Sequence, residues 1–233
     1  MNPLYRVPVF TEPHLLTELK LVNCGLYSFE GLNECVNLRV LYANSNPVIP
    51  LKPWRHMTHL RQLRVLKVCD NHGIHQYNEE TRATCMQVLS QNTHLTSLIL
   101  MGHGIGPLGA EALEGLIKLE KLDLQFCGIG DAVFQKLPLS KMKELDVTCN
   151  GLTPESMRHL RHILDQAPRP CLRHLSLASN PLGNEAVVCL APMTYLKRLN
   201  LFNIGATIIG MRSLVPLVPH LDALVCEERL LPY

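Results

Sequence analysis

An eleven-residue phrase that returns nine times constrains this 233-residue chain more than any other feature. Its clearest copy is Leu119-Glu120-Lys121-Leu122-Asp123-Leu124-Gln125-Phe126-Cys127-Gly128-Ile129. Leu122 and Leu124 alternate as inward residues of a short strand, leaving Lys121, Asp123 and Gln125 on the opposite face. Cys127 then turns inward, where a small polar side chain can bond the backbone of the next turn. One such unit cannot bury its own leucines, so it must stack on copies of itself. Copies begin at Leu16, Leu38, Leu63, Leu95, Leu119, Met142, Leu172, Leu196 and Leu221, in steps of 22, 25, 32, 24, 23, 30, 24 and 25 residues.

The phrase L-x-x-L-x-L-x-x-(C/N)-x-(I/L) resembles the consensus of leucine-rich repeats, whose period is about 20–29 residues. The resemblance implies an α/β solenoid, a horseshoe of about nine repeats with a parallel sheet on the concave face and helices or turns on the convex face. Residues 1–15 are expected to form an extended N-terminal cap and residues 16–233 the repeat domain. The first two copies resemble the short repeats of a protein-phosphatase regulatory subunit and of axonemal leucine-rich-repeat proteins. The later, longer units resemble those of ribonuclease inhibitor.

Local signals agree with this division. Pro3, Pro8 and Pro13 forbid a long helix near the start, and Val7 with Val9 can lie along the edge of the first repeat. Asn78-Glu79-Glu80 opens a helix carrying Ala83, Met86 and Leu89. Thr153-Pro154-Glu155 opens another, with Met157, Leu160, Ile163 and Leu164 as its apolar stripe. Leu108, Ala112, Leu113 and Leu116 read as a third stripe after Pro107. The inward turn position holds Cys24, Asn46, Asn71, His103, Cys127, Asn150, Asn180, Ile204 and Arg229. His103, Ile204 and Arg229 break the pattern, which leaves the register of the fourth, eighth and ninth copies open.

Hydrophobic residues make up 47% of the chain and aromatic ones only 5%, as stacked aliphatic turns require. A net charge of +2 gives no polyelectrolyte signature, so neither nucleic acid nor an anionic membrane is the expected partner. No stretch approaches the ~20 apolar residues of a membrane span, and residues 1–16 contain no signal-peptide core. The nine cysteines are scattered, without the clustered end-cap disulfides usual in extracellular relatives of this architecture. An intracellular, cytoplasmic protein with reduced thiols is the expectation.

No phosphate loop, nucleophile elbow or zinc-protease motif is present, and no catalytic residue, cofactor or metal ligand is assigned. His72-x-x-His75 near Cys69 supplies three of the four ligands a structural zinc wants and reads more simply as a polar turn. His159 and His162 lie on the solvent side of their helix, and Cys24 and Cys127 read as buried structural thiols. What remains is surface. Tyr42, Val65, Ile99, Met101 and Phe202 are large apolar residues on the concave strands, and with Phe126 they are the candidate partner contacts. Leu230 and Leu231 join them, because the last copy runs straight into Leu230-Leu231-Pro232-Tyr233 and its end is either a docking surface or a minimal lid. The function expected is a non-enzymatic protein–protein interaction scaffold, a subunit of a larger intracellular assembly, with cytoskeletal and ciliary assemblies among the candidates. The alternative is a regulatory partner of an enzyme such as a phosphatase or a GTPase.

Overall fold

The computed structural model describes residues 4–46, 56–69, 78–131, 133–166 and 170–227. Asn71, His72, His75, Arg229, Leu230 and Leu231 lie outside the described residues.

Nine three-residue strands form one parallel sheet in chain order: β1 Glu18–Lys20, β2 Val40–Tyr42, β3 Val65–Lys67, β4 Ser97–Ile99, β5 Lys121–Asp123, β6 Glu144–Asp146, β7 His174–Ser176, β8 Arg198–Asn200 and β9 Ala223–Val225. Each strand begins two residues after the first residue of its copy, so the periodicity alone sets the register, irregular fourth, eighth and ninth copies included. The central leucines pair across the sheet from Leu19 through Leu41, Leu66, Leu98, Leu122, Leu145, Leu175 and Leu199 to Leu224. All are buried except Leu224, on the edge strand, which is half-buried.

Parallel strands need a crossover between them, and step length decides what that crossover is. The 22-residue first step accommodates only a 3-10 turn, Leu32–Glu34. The two longest steps, 32 and 30 residues, hold the two longest helices, α1 Glu79–Ser90 and α4 Pro154–Gln166. Shorter ones, α2 Gly106–Glu111, α3 Val133–Lys136, α5 Gly183–Leu190 and α6 Ile208–Met211, return the other late repeats. The helices start as their sequences ask. The Asn78 side chain accepts the Thr81 N–H at 2.9 Å, and the Thr153 hydroxyl accepts the Glu155 N–H at 3.3 Å. A continuous aliphatic core lies between the sheet and these returns.

Two local expectations are corrected. Leu108 is exposed, because α2 turns Gly106, Gly109 and Ala110 inward, followed by Leu113, at helical spacing. A side chain at Gly109 would sit only 3.1 Å from Ile105 and 3.3 Å from Met86, so this face is built for close approach. At the N-terminus Val7 is buried, but Val9 points into solvent. Leu4 N–H donates to the Cys24 carbonyl and Tyr27 N–H to that of Tyr5, while the two tyrosine rings stack 5.5 Å apart.

After a strand the chain must turn inward, and at the described corners one residue takes a left-handed conformation to do so. Asn23, Ser45, Phe126, Cys149, Ser179 and Asn203 all have φ between 53° and 56°. The following residue enters the core. Asn180 shows what is wanted there: its amide donates to the Val147 and Leu177 carbonyls, and its oxygen accepts the Asn150 and Leu152 N–H groups. Asn46 and Asn150 repeat the arrangement. Each buried amide thus satisfies backbone groups that would otherwise cost about 1–3 kcal/mol apiece. Cys127 is fully buried and donates its thiol to the Leu100 carbonyl, and burial pushes its pKa up to about 12. Cys24 is only half-buried and donates its thiol to the Val22 carbonyl at 3.4 Å.

Candidate concave binding surface

Pleating turns three residues of every repeat to the concave face, so the register lines them up in three rows across the sheet. The first row runs Glu18, Val40, Val65, Ser97, Lys121, Glu144, His174, Arg198 and Ala223. The second runs Lys20, Tyr42, Lys67, Ile99, Asp123, Asp146, Ser176, Asn200 and Val225. The third, just past the strands, contains Val22, Asn44, Cys69, Met101, Gln125, Thr148, Ala178 and Phe202. At about 4.8 Å between strands, nine strands make a surface roughly 40 Å across. That is ample for a standard interface of about 800 Å² per partner.

The surface has two halves of different character. Across β2–β4 it is apolar with lysines at its margins. Val65 lies beside Val40 at paired register, and Lys20 holds its ammonium 5.6 Å from the Tyr42 ring centre while pairing with Glu18. Ile99 and Met101 share a hollow with Val22, Asn44, Lys67 and Cys69. These four candidates, Tyr42, Val65, Ile99 and Met101, are therefore neighbours, each half-buried by its surroundings rather than fully exposed.

Across β5–β8 the face is charged. Lys121 bonds Glu144, which lies 3.5 Å from His174, and this bonding holds the Glu144 carboxyl below its usual pKa. One row over, Asp123 and Asp146 stand side by side at paired register. Burial chiefly, with Asp146 adding to it, holds the Asp123 carboxyl above the usual range. A trough of about 270 Å³ runs over these residues as far as β9.

The remaining candidates lie apart. Phe202 is half exposed at the end of β8, four strands from Ile99. Phe126 is exposed at the left-handed corner after β5, one residue past the third row and so on the rim. Val22 and Val225, both 48% exposed on the concave face, were not singled out from the sequence. Nor was the aspartate pair, although aligning Leu122-Asp123-Leu124 with Leu145-Asp146-Val147 places the two in one column. Among the described residues no group of three or more His, Cys, Asp or Glu side chains could hold a metal ion. His162 is exposed and His159 partly so, beside Gln135.

Comparisons with known proteins agree with this geometry. The family described as Leucine Rich repeat matches residues 91–113, 115–132, 139–162 and 170–191. A Tonsoku-like protein of Danio rerio is 25% identical over 164 residues, covering 67% of this chain. The chain spans 11% of that relative's length. Among solved structures, the Arabidopsis receptor kinase HAESA, in complex with the peptide hormone IDA and the co-receptor SERK1, superposes with a TM-score of 0.51. That likeness covers 81% of this chain and 30% of the receptor chain at 19% identity, and it shows a shared fold.

Proposed function

We propose that this chain, which folds as a leucine-rich-repeat solenoid, holds a protein partner on its concave sheet as a non-enzymatic subunit of a larger intracellular assembly. Proteins of this family and fold are typically interaction scaffolds without catalytic activity. The observation that carries the reading is the apolar patch on β2–β4. Tyr42, Val65, Ile99 and Met101 gather on a solvent-facing side of the sheet, where folding alone would be served by polar residues. The Arabidopsis receptor, a complex with a peptide hormone, offers a parallel for partner binding by this fold. The spread of the nine cysteines over the repeats, with Cys35, Cys69, Cys85 and Cys127 buried, supports the intracellular part of this reading. Among the described residues no helix is long and apolar enough to cross a membrane.

Tyr42→Ala, Ile99→Asp and Met101→Asp should each abolish capture of the partner from cell extract while leaving circular dichroism unchanged. Wild-type capture by all three would remove the concave face from consideration. Size in extract separates the subunit reading from the alternative, a regulator of an enzyme such as a phosphatase or GTPase. Gel filtration should place the protein in a large complex, and a small one would favour the regulator.

A further inference from the structure

We propose that the β5–β8 half of the concave sheet takes an extended peptide segment of its partner, with a lysine or arginine seated on Asp123 and Asp146 and an acidic side chain seated on Arg198. The inference rests on the concave-face reading and adds the partner's charge pattern to it. Three observations carry it. First, two carboxylates face each other across neighbouring strands, an arrangement that is destabilising when no cation lies between them. The cation closest in register, Lys121, bonds Glu144 in the adjacent row. The Asp123 carboxylate accepts from the backbone and side-chain nitrogens of Gln125, and Asp146 from the Thr148 N–H, so their bonded donors are neutral.

Second, the fold does not need those charges. At the same position in β8, Asn200 accepts the Phe202 N–H at 3.1 Å, making the bond that Asp146 makes to Thr148. Asparagine performs the local structural task, and the two negative charges are additional to it. Third, the Arg198 guanidinium is exposed on this face, with no hydrogen bond or ion pair among the described residues. It lies two strands beyond Asp146 and one row over, about 12 Å in all, which an extended peptide covers in three to four residues. The trough connects the two positions, so one segment can satisfy both charges.

The test pans a phage library of random heptapeptides against the full chain and measures the selected peptides by fluorescence anisotropy. Enriched sequences should share a basic and an acidic residue about three to four positions apart. Asp123→Asn with Asp146→Asn should weaken a selected peptide at least tenfold. Arg198→Glu should do the same, and a peptide carrying lysine in place of its acidic residue should restore binding to that variant. A library that yields no such pattern, or peptides indifferent to all three substitutions, overturns the inference. Peptides that ignore the charge variants but are lost with Tyr42→Ala or Ile99→Asp would leave the concave-face reading standing and end this one. Peptides indifferent to both sets would end both.

Discussion

His103 stands where Asn46, Asn150 and Asn180 stand in other repeats, fully buried, and its ring bonds the Val68 carbonyl as the Asn150 amide bonds that of Leu124. An imidazole reproduces the donating half of the asparagine's work, but it brings a titratable group into the core. Burial lowers its pKa to about 4. The sign of the consequence follows: between pH ~6.5 and 4 the unfolded chain takes up a proton that the native one refuses, so stability falls as pH falls. The contribution is complete above ~6.5, and its loss, roughly 3 kcal/mol in all, ends once the native ring protonates. His103→Asn should remove this loss and restore the ladder. Urea unfolding of both proteins at pH 7 and pH 4.5 checks it; parallel pH dependence would mean that the ring is not buried in its neutral form. From sequence, His103 reads only as a break in a pattern. That its ring fits the asparagine slot depends on the distance to the previous turn, which spacing does not encode.

At the scale of elements, strands were far more legible than helices. Each strand is three residues fixed by a central leucine and a second inward residue two positions on, and this pattern admits one register. A helix in this architecture is an optional way of returning to the next strand, and its face depends on what the neighbouring repeat offers. Leu108 illustrates the difference, since it belongs to a plausible stripe yet gives way to Gly109, the residue small enough to approach Ile105 and Met86. The helix starts were legible where a side chain caps them. Thr153 does more than cap α4: its N–H and hydroxyl both donate to the Asp131 carboxylate of the previous repeat, each at 2.6 Å. Thr153→Ala should therefore cost about 1–2 kcal/mol, toward the upper end of cap substitutions. Urea denaturation measures the loss, and a cost below ~0.3 kcal/mol would show that neither hydroxyl bond, to Asp131 or from the Glu155 N–H, matters in solution.

Over the whole molecule, stability in a solenoid is a sum of repeats and the interfaces between them, so a strand paired on one side only is held less firmly than one paired on both. β9 combines an edge position with Leu221 and Leu224 half-buried, whereas Leu196 and Leu199 one repeat earlier are closed off. Amides of residues 223–225 should exchange with deuterium faster than those of β5–β7, and equal protection would mean that the last repeat is as firmly held as the centre. The candidate site was legible in part for a related reason. Periodicity identifies which residues face the concave side, including Tyr42, Val65, Ile99 and Met101, but the pairing of Asp123 with Asp146 emerges only when adjacent copies are laid against each other. The central claim, that the concave sheet is where a partner sits, has one direct measurement. A photoreactive p-benzoylphenylalanine placed at position 99 or 101 on the sheet, and separately at the exposed helical positions 188 and 209, reports which side is covered in living cells. The account predicts a discrete crosslinked band from 99 and 101 and none from 188 and 209; crosslinks confined to the helical positions would contradict it.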